Sequence, residues 1–196
     1  MAKKLLVLCM AAIMAVAALV AGCGGDQKAA SDNKVLKVGT NADFAPFEFQ
    51  DENGKEYQGF DMDLIRAIGE EMGYKVEISN IQFDGLIPAI QAGNIDVAIT
   101  GMTINEERKQ NVLFSDPYYK SGLSIIVAKD NNDIKTFQDL KGKKVAVQIG
   151  TTSAAEVNKI GGVEVKEFNS SADTFMELRA KGVDAVVNDR PVNDYY

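Results

Sequence analysis

The chain has 196 residues, with 21 Lys and Arg against 28 Asp and Glu and a formal net charge of −7 at pH 7. So acidic a balance, with no basic cluster to offset it, excludes nucleic acid and anionic lipid as electrostatic partners. There is no histidine, which excludes Ser-His-Asp and Cys-His nucleophile activation and the usual zinc sites, so neither metal nor cofactor is expected and binding is favoured over turnover.

Lys3 and Lys4 precede an apolar run from Leu5 to Val20, followed by Val20-Ala21-Gly22-Cys23. A charged start, an apolar run and small residues at a cut site make an export signal, and the run is shorter than the roughly 20 residues of a spanning helix. A cysteine directly after Ala-Gly resembles a bacterial lipoprotein signal; an ordinary secretory signal with a chance cysteine is the alternative. The resemblance implies that residues 1–22 are removed and that Cys23 carries a diacylglycerol thioether as the new N-terminus. Acyl chains at that position hold a protein to a bilayer outside the cytoplasm. Losing Lys3 and Lys4 moves the net charge from −7 to −9. Cys9 leaves with the signal and Cys23 is modified, so no disulfide is expected and stability rests on a packed core.

Residues 24–33 are small and polar, as a flexible tether is. Val35–Thr40 reads as a buried strand, and Phe47–Phe60 alternates around Asp51-Glu52-Asn53-Gly54 as a hairpin does. Asp61 then caps a helix with Leu64, Ile65, Ile68 and Met72 on one face and Gly73 as its stop. Tyr74–Ser79 is a strand, Leu86–Ala92 a short helix and Asp96–Thr100 a strand ending at Gly101. Asn105–Asn111 is an exposed helix and Val112–Ser115 a short strand. After Pro117–Leu123 the rhythm repeats. Strands are expected at Leu123–Ala128, Lys144–Ile149, Val163–Phe168 and Asp184–Val187. Helices are expected at Thr136–Leu140, after Gly150, and over Ser171–Lys181. Strands alternating with helices predict an α/β fold with parallel-rich sheets, and two such runs predict two lobes.

In open α/β sheets ligands bind outside the carboxyl ends of strands. Thr100-Gly101-Met102-Thr103 lies at such an end, and Arg108 follows about one helical turn into the next element. Arginine is scarce, present only as Arg66, Arg108, Arg179 and Arg190; Arg108 is either a two-pronged carboxylate clamp or a solvated arginine. Gly150-Thr151-Thr152-Ser153 opens a helix, where free N–H groups either favour an anion or merely cap. It lacks the lysine of a phosphate loop. Asn188-Asp189 closes the last strand, as an acceptor for an ammonium group or as a turn. Phe44 and Phe83 are either aromatic walls or core. Asp130-Asn131-Asn132-Asp133 lacks the glycine and distal glutamate of a calcium loop and reads as a surface turn. Taken jointly, a cationic clamp, an N–H nest, an anionic end and two aromatic rings complement a zwitterionic amino acid.

With these residues in place the chain resembles the polar amino-acid-binding proteins of bacterial ABC importers, the glutamine-binding group among them, from about Val35 to Tyr196. Gly59-Phe60-Asp61-Met62-Asp63-Leu64 with Ile68-Gly69 and Met72 carries the resemblance. Ala45-Pro46-Phe47-Glu48-Phe49, the stretch from Gly101 to Arg108, and Phe114-Ser115-Asp116-Pro117-Tyr118-Tyr119 carry it too. It implies a two-lobed periplasmic-binding-protein fold of type II, with a signal over 1–22, lipidated Cys23 and tether over 23–33, a first lobe over 34–119 and a second lobe over 120–196. By the same resemblance Arg108, Thr103, Gly101 and Thr152 hold the ligand carboxylate, and Asp189 with Gly101 holds its ammonium. Phe44 and Phe83 sandwich the side chain, while Asn41, Gln148 and Asn188 line its far end.

Glutamine binders tend to carry Asp, Lys and His at the positions of Asn41, Gln148 and Asn188. A neutral amide pair still suits an amide side chain, and other carboxylates could receive a cationic one. Relatives run roughly 60 residues beyond the point matching Tyr196, in keeping with two-domain sizes. The second lobe and the return to the first are therefore expected to be incomplete, with a single hinge crossing near Tyr119–Leu123 and bare sheet edges. The expected function is capture of a polar L-amino acid, glutamine favoured, by a membrane-anchored monomer that delivers it to an ABC permease. A dehydratase resembling the cyclohexadienyl dehydratases and the sensing module of a receptor are the rivals.

Overall fold

The computed structural model describes residues 34–196; the signal, Cys23 and the tether lie outside the described residues. Strand β1 (Lys34–Thr40) runs parallel between β5 (Tyr74–Asn80) and β6 (Val97–Ala98). Its register sets Val38 beside Ile78 and Val97, and Val38 is fully buried. Between β1 and β5 the expected hairpin forms, as an antiparallel sheet of β2 (Asp43–Phe44), β3 (Glu48–Gln50) and β4 (Tyr57–Gln58).

Helix α1 (Phe60–Met72) follows and ends, as expected, at Gly73 in the left-handed region. Its start differs from expectation. Gly59 (φ 115°, ψ 174°) occupies the cap position without a side-chain bond, and Asp61 lies inside the first turn, fully buried. The buried carboxylate serves partners elsewhere in the fold rather than its own helix end. Of the expected apolar face Ile65 is buried, but Ile68 and Met72 are 38% and 59% exposed. Gly69 takes the contact instead: with no Cβ it lets the helix settle against Val76.

A single 3-10 turn (Phe83–Gly85) leads into α2 (Leu86–Gln91), and α3 (Glu106–Lys109) is capped by Asn105, whose side chain accepts the Arg108 N–H at 2.8 Å. Val112–Ser115 forms no strand, against expectation. Its apolar pattern finds no ladder to join, and the stretch runs on as the segment that crosses to the second half.

There β7 (Leu123–Val127), β8 (Lys144–Gln148), β9 (Glu164–Phe168) and β10 (Ala185–Asp189) make a sheet ordered β7-β10-β8-β9. β10, β8 and β9 are parallel, and β7, entered straight from the crossing segment, is antiparallel to β10. A 3-10 turn at Phe137–Leu140, α4 (Thr152–Asn158) and α5 (Ser171–Arg179) connect them. The sequence pattern gave no sign of α6 (Arg190–Tyr195), which starts with a proline in its first turn and Asp189 at its cap.

Val38, Met62, Ile65 and Ile99 form the core of the first half, and Leu140, Val145, Val147, Val157, Ala185 and Val187 that of the second. Full burial of each such side chain contributes about 1.5–3 kcal/mol. A further cluster sets Phe44 and Phe47 of the first half against Ala146, Phe175, Val186 and Val192 of the second. The carboxyl ends of β1, β6, β8 and β10 thereby meet.

Candidate functional site

At that meeting point lies a cavity of about 20 Å³, room for roughly one water molecule. One side is built by Asn41 after β1, Phe44 on β2, Glu48 on β3, Phe83 in the 3-10 turn, and Thr100, Gly101, Thr103 and Arg108 after β6. The other side is Gln148 at the end of β8, Thr151 and Thr152 at the start of α4, and Asp189 at the end of β10.

Arg108 is the centre of the arrangement. The Asn105 cap fixes its backbone, and its side chain turns inward so that the residue is 8% exposed. Two guanidinium N–H groups donate to the carbonyls of Thr103 (2.7 Å) and Gly150 (2.9 Å), and the group lies 5.3 Å over the Phe83 ring. Among the described residues no carboxylate lies within ion-pairing distance of it. Burial pulls its pKa below the usual arginine value, while Glu107 and Asp189 pull the other way.

Asp189 lies on the opposite side. Its Oδ1 accepts the Ser121 hydroxyl at 2.8 Å. Burial raises its pKa, opposed by the Ser121 bond and by Arg108. The cavity thus has a cationic and an anionic end.

The two sides are bonded to each other. Gln148 Nε2 donates to Asn41 Oδ1 at 2.7 Å, the Thr103 and Thr152 hydroxyls are 3.5 Å apart, and Arg108 reaches the Gly150 carbonyl. The Ser171 N–H, at the start of α5, donates to Asp43 Oδ2 at 3.1 Å. Gln148 also donates to the Asn169 carbonyl.

Asn41, Phe44, Phe83, Gly101, Thr103, Arg108, Gln148, Thr152 and Asp189 are therefore brought together as the sequence reading expected. Asn188 is not. Neighbouring residues of a strand point to opposite faces, so with Asp189 at the cavity Asn188 turns away, is buried, and donates to the Ser171 hydroxyl at 2.7 Å. Gly101 is placed as expected, but its N–H is committed to Asp61 Oδ2 at 2.8 Å, which leaves its carbonyl as the group open to a ligand. Its positive φ of 55°, with the Phe44 ring 3.0 Å from where a Cβ would sit, disfavours a side chain there.

Glu48, Asp61 and Tyr118 carry no site role in the sequence pattern, and Thr100 and Thr151 stand there only within their motifs. Thr151 caps α4 and donates to the Gln148 carbonyl at 2.7 Å. Thr100 accepts the Asn41 N–H at 3.1 Å and donates to Glu48 Oε1 at 2.7 Å. Among the described residues no three acidic or cysteine side chains form a metal cage.

Asp43 titrates in an accessible range. Burial pushes its carboxyl up to about 6, against hydrogen bonds from Ser170 and Ser171. A raised pKa means that the folded state favours the protonated form, so this stabilisation is present below the ordinary carboxylate range and is lost as pH rises through about 6. Asp43→Asn keeps an acceptor for the Ser171 N–H without the buried charge. It is expected to melt a few degrees above the wild type at pH 8, the gap narrowing as pH falls from 7 to 4. Melting curves across that range measure it, and a variant that melts lower at pH 8 would disprove the burial account.

Residues 36–194 match the sequence model of the bacterial extracellular solute-binding proteins, family 3. The arginine-binding extracellular protein ArtP of Bacillus subtilis (strain 168) is 33% identical over 198 residues, covering 99% of this chain and 76% of that protein. Among solved structures, an ancestral arginine-binding protein superposes with a TM-score of 0.81 and 53% identity over 83% of this chain. That holds for its form bound to arginine (73% of that chain) and its form bound to glutamine (72%). The ancestral amino-acid-binding protein AncCDT-1, a precursor of cyclohexadienyl dehydratase, superposes with a TM-score of 0.80 and 47% identity, over 83% of this chain and 73% of that one.

Proposed function

The chain belongs to the bacterial extracellular solute-binding proteins of family 3, and from that premise we propose that it captures a polar amino acid, glutamine or arginine, between its two halves. Arg108 is the observation that carries this reading. A buried guanidinium without an ion-pair partner is costly unless an anion joins it, and an α-carboxylate fits its remaining donors. Thr103 and Thr152 add hydroxyl donors to that carboxylate. Asp189 and the Gly101 carbonyl receive the ammonium group, and Phe44 and Phe83 flank the side chain.

Asn41 and Gln148 lie at the far end and decide what the side chain is. Each amide offers a carbonyl acceptor and an NH₂ donor. That set suits glutamine, and its acceptors suit a guanidinium equally. The ancestral protein bound to each of the two amino acids supports the same pair. Entry requires the halves, residues 34–119 and 120–196, to part about the crossing segment, and closure buries the ligand. In this reading the protein works outside the cytoplasm as a monomer, tethered through Cys23, and hands its ligand to an ABC permease.

A melt of the protein with each amino acid tests the reading. Glutamine or arginine at about 100 times its dissociation constant should stabilise by roughly 2.7 kcal/mol, and a melt that neither moves would refute it. A dehydratase acting on a prephenate-type substrate is the second reading. The acid Glu48 in the cavity favours it, and protein-dependent conversion of prephenate to phenylpyruvate, above the rate without protein, would establish it.

A further inference from the structure

Three buried or half-buried acids, Asp43 on β2, Glu48 on β3 and Asp61 on α1, gather beside the cavity. Among the described residues no lysine or arginine forms an ion pair with any of them. Glu48 is fully buried and reaches the cavity. Its Oε1 accepts the Thr100 hydroxyl at 2.7 Å, but its Oε2, equally enclosed, has no partner. Asp61 mirrors it. Oδ2 accepts both the Gly101 N–H and the Tyr118 hydroxyl at 2.8 Å, and Oδ1 has none. The groups they hold, the Thr100 hydroxyl and the Gly101 N–H, belong to consecutive residues, which sets the two carboxyl groups side by side.

Two ionised carboxylates can only accept, so both orphaned oxygens would stay unsatisfied and the like charges would repel. One proton between them removes both costs. We propose that Glu48 and Asp61 share a single proton between Oε2 and Oδ1, and that this pair positions the Thr100–Gly101 wall of the cavity. Glu48, neutral, holds the Thr100 hydroxyl; Asp61, ionised, holds the Gly101 N–H and ties it to Tyr118 on the crossing segment.

The proton resides on Glu48. Burial, then the charge of Asp61 and lastly that of Asp43, hold its carboxyl well above the usual range. Asp61 is also raised by burial, but bonds from Gly101, Tyr118 and Glu48 pull it back. Among the described residues, Asp43, Asp61 and Tyr118 are the titratable groups that face Glu48, and none supplies a positive charge. The pair's stabilisation is therefore complete at low pH and is lost as pH rises through the folded value of Glu48.

The effect on ligand affinity rests on the reading that glutamine or arginine binds here; the shared proton does not. A carbon-13 carboxyl NMR titration of Glu48 reads the proton directly. Melts and titrations with arginine and glutamine from pH 6 to 9 compare the wild type with E48Q and E48A. The amide of E48Q can donate to Asp61 and accept from Thr100 as neutral Glu48 does. At pH 6 it should melt within about 2 °C of the wild type. As pH rises, the wild type should lose melting temperature that E48Q keeps, while E48A melts low throughout. A Glu48 carboxyl ionised at pH 7, or an E48Q protein that falls as far as E48A, would overturn the proposal. Should neither amino acid bind the wild type, the functional reading fails while the NMR titration still decides the proton.

Discussion

Arg108→Ala is expected to weaken binding of glutamine and arginine at least about 100-fold, the usual consequence of truncating one partner of a buried, hydrogen-bonded charge pair. The loss has two sources. In the proposed reading the ligand carboxylate would lose its two-pronged donor in a cavity where little water could replace it. The Thr103 and Gly150 carbonyls lose the guanidinium that joins the two halves, so the closed arrangement is weakened before any ligand arrives. Arg108→Lys restores a charge but not the planar fork, and should recover only part of the affinity. Calorimetric titration, with a melt of each variant to establish that it is folded, makes the measurement. A folded Arg108→Ala protein that binds within threefold of the wild type would remove Arg108 from the site.

Gly59→Ala is expected to destabilise the fold by at least about 3 kcal/mol, because strain and a backbone clash coincide. With φ 115° and ψ 174°, Gly59 occupies a region that L residues rarely enter. A Cβ there would sit 2.6 Å from the Phe47 carbonyl carbon and 2.8 Å from the Pro46 oxygen. Those are main-chain atoms, and they cannot swing aside as a side chain can. The Phe60 and Asp61 N–H groups donate to these same carbonyls of Pro46 and Phe47, so relieving the clash pulls α1 away from the hairpin. Asp61 and Glu48 would be carried apart with it. Urea unfolding measures the loss, and a midpoint unchanged from the wild type would contradict it.

The alternation of strands and helices was legible because each half repeats a short apolar run, a glycine or proline stop and an amphipathic stretch. Arg108, Thr103 and Gly101 were legible for a related reason: a strand end, a glycine and a rare arginine fall within one short stretch. Glu48 was not. In a hairpin, a glutamate flanked by Phe47 and Phe49 reads as the outward member of an alternation, and only Thr100 and Asp61, brought in by the fold, show it to be enclosed. Val112–Ser115 erred the other way, since strand pattern without a pairing partner is just extended chain. The mistake over Asn188 was one of parity: of two polar residues closing a strand only one can face the cavity, and the sequence does not say which. Ile68 and Met72 lie exposed where Gly69 makes the contact, a substitution of closeness for apolar area that periodicity cannot register.

For a ligand bound as proposed, the bonds joining Asn41 to Gln148 and Arg108 to the Gly150 carbonyl would also act as a gate in time. That ligand would meet the guanidinium only in molecules where those bonds are broken, so the observed association rate would be the encounter rate scaled by that fraction. At high ligand concentration the rate would level off at the frequency with which the walls separate. Residues that hold the walls together without touching the ligand, such as Asp43 against the start of α5, would then govern how quickly an amino acid is caught and released, quite apart from how tightly it is held.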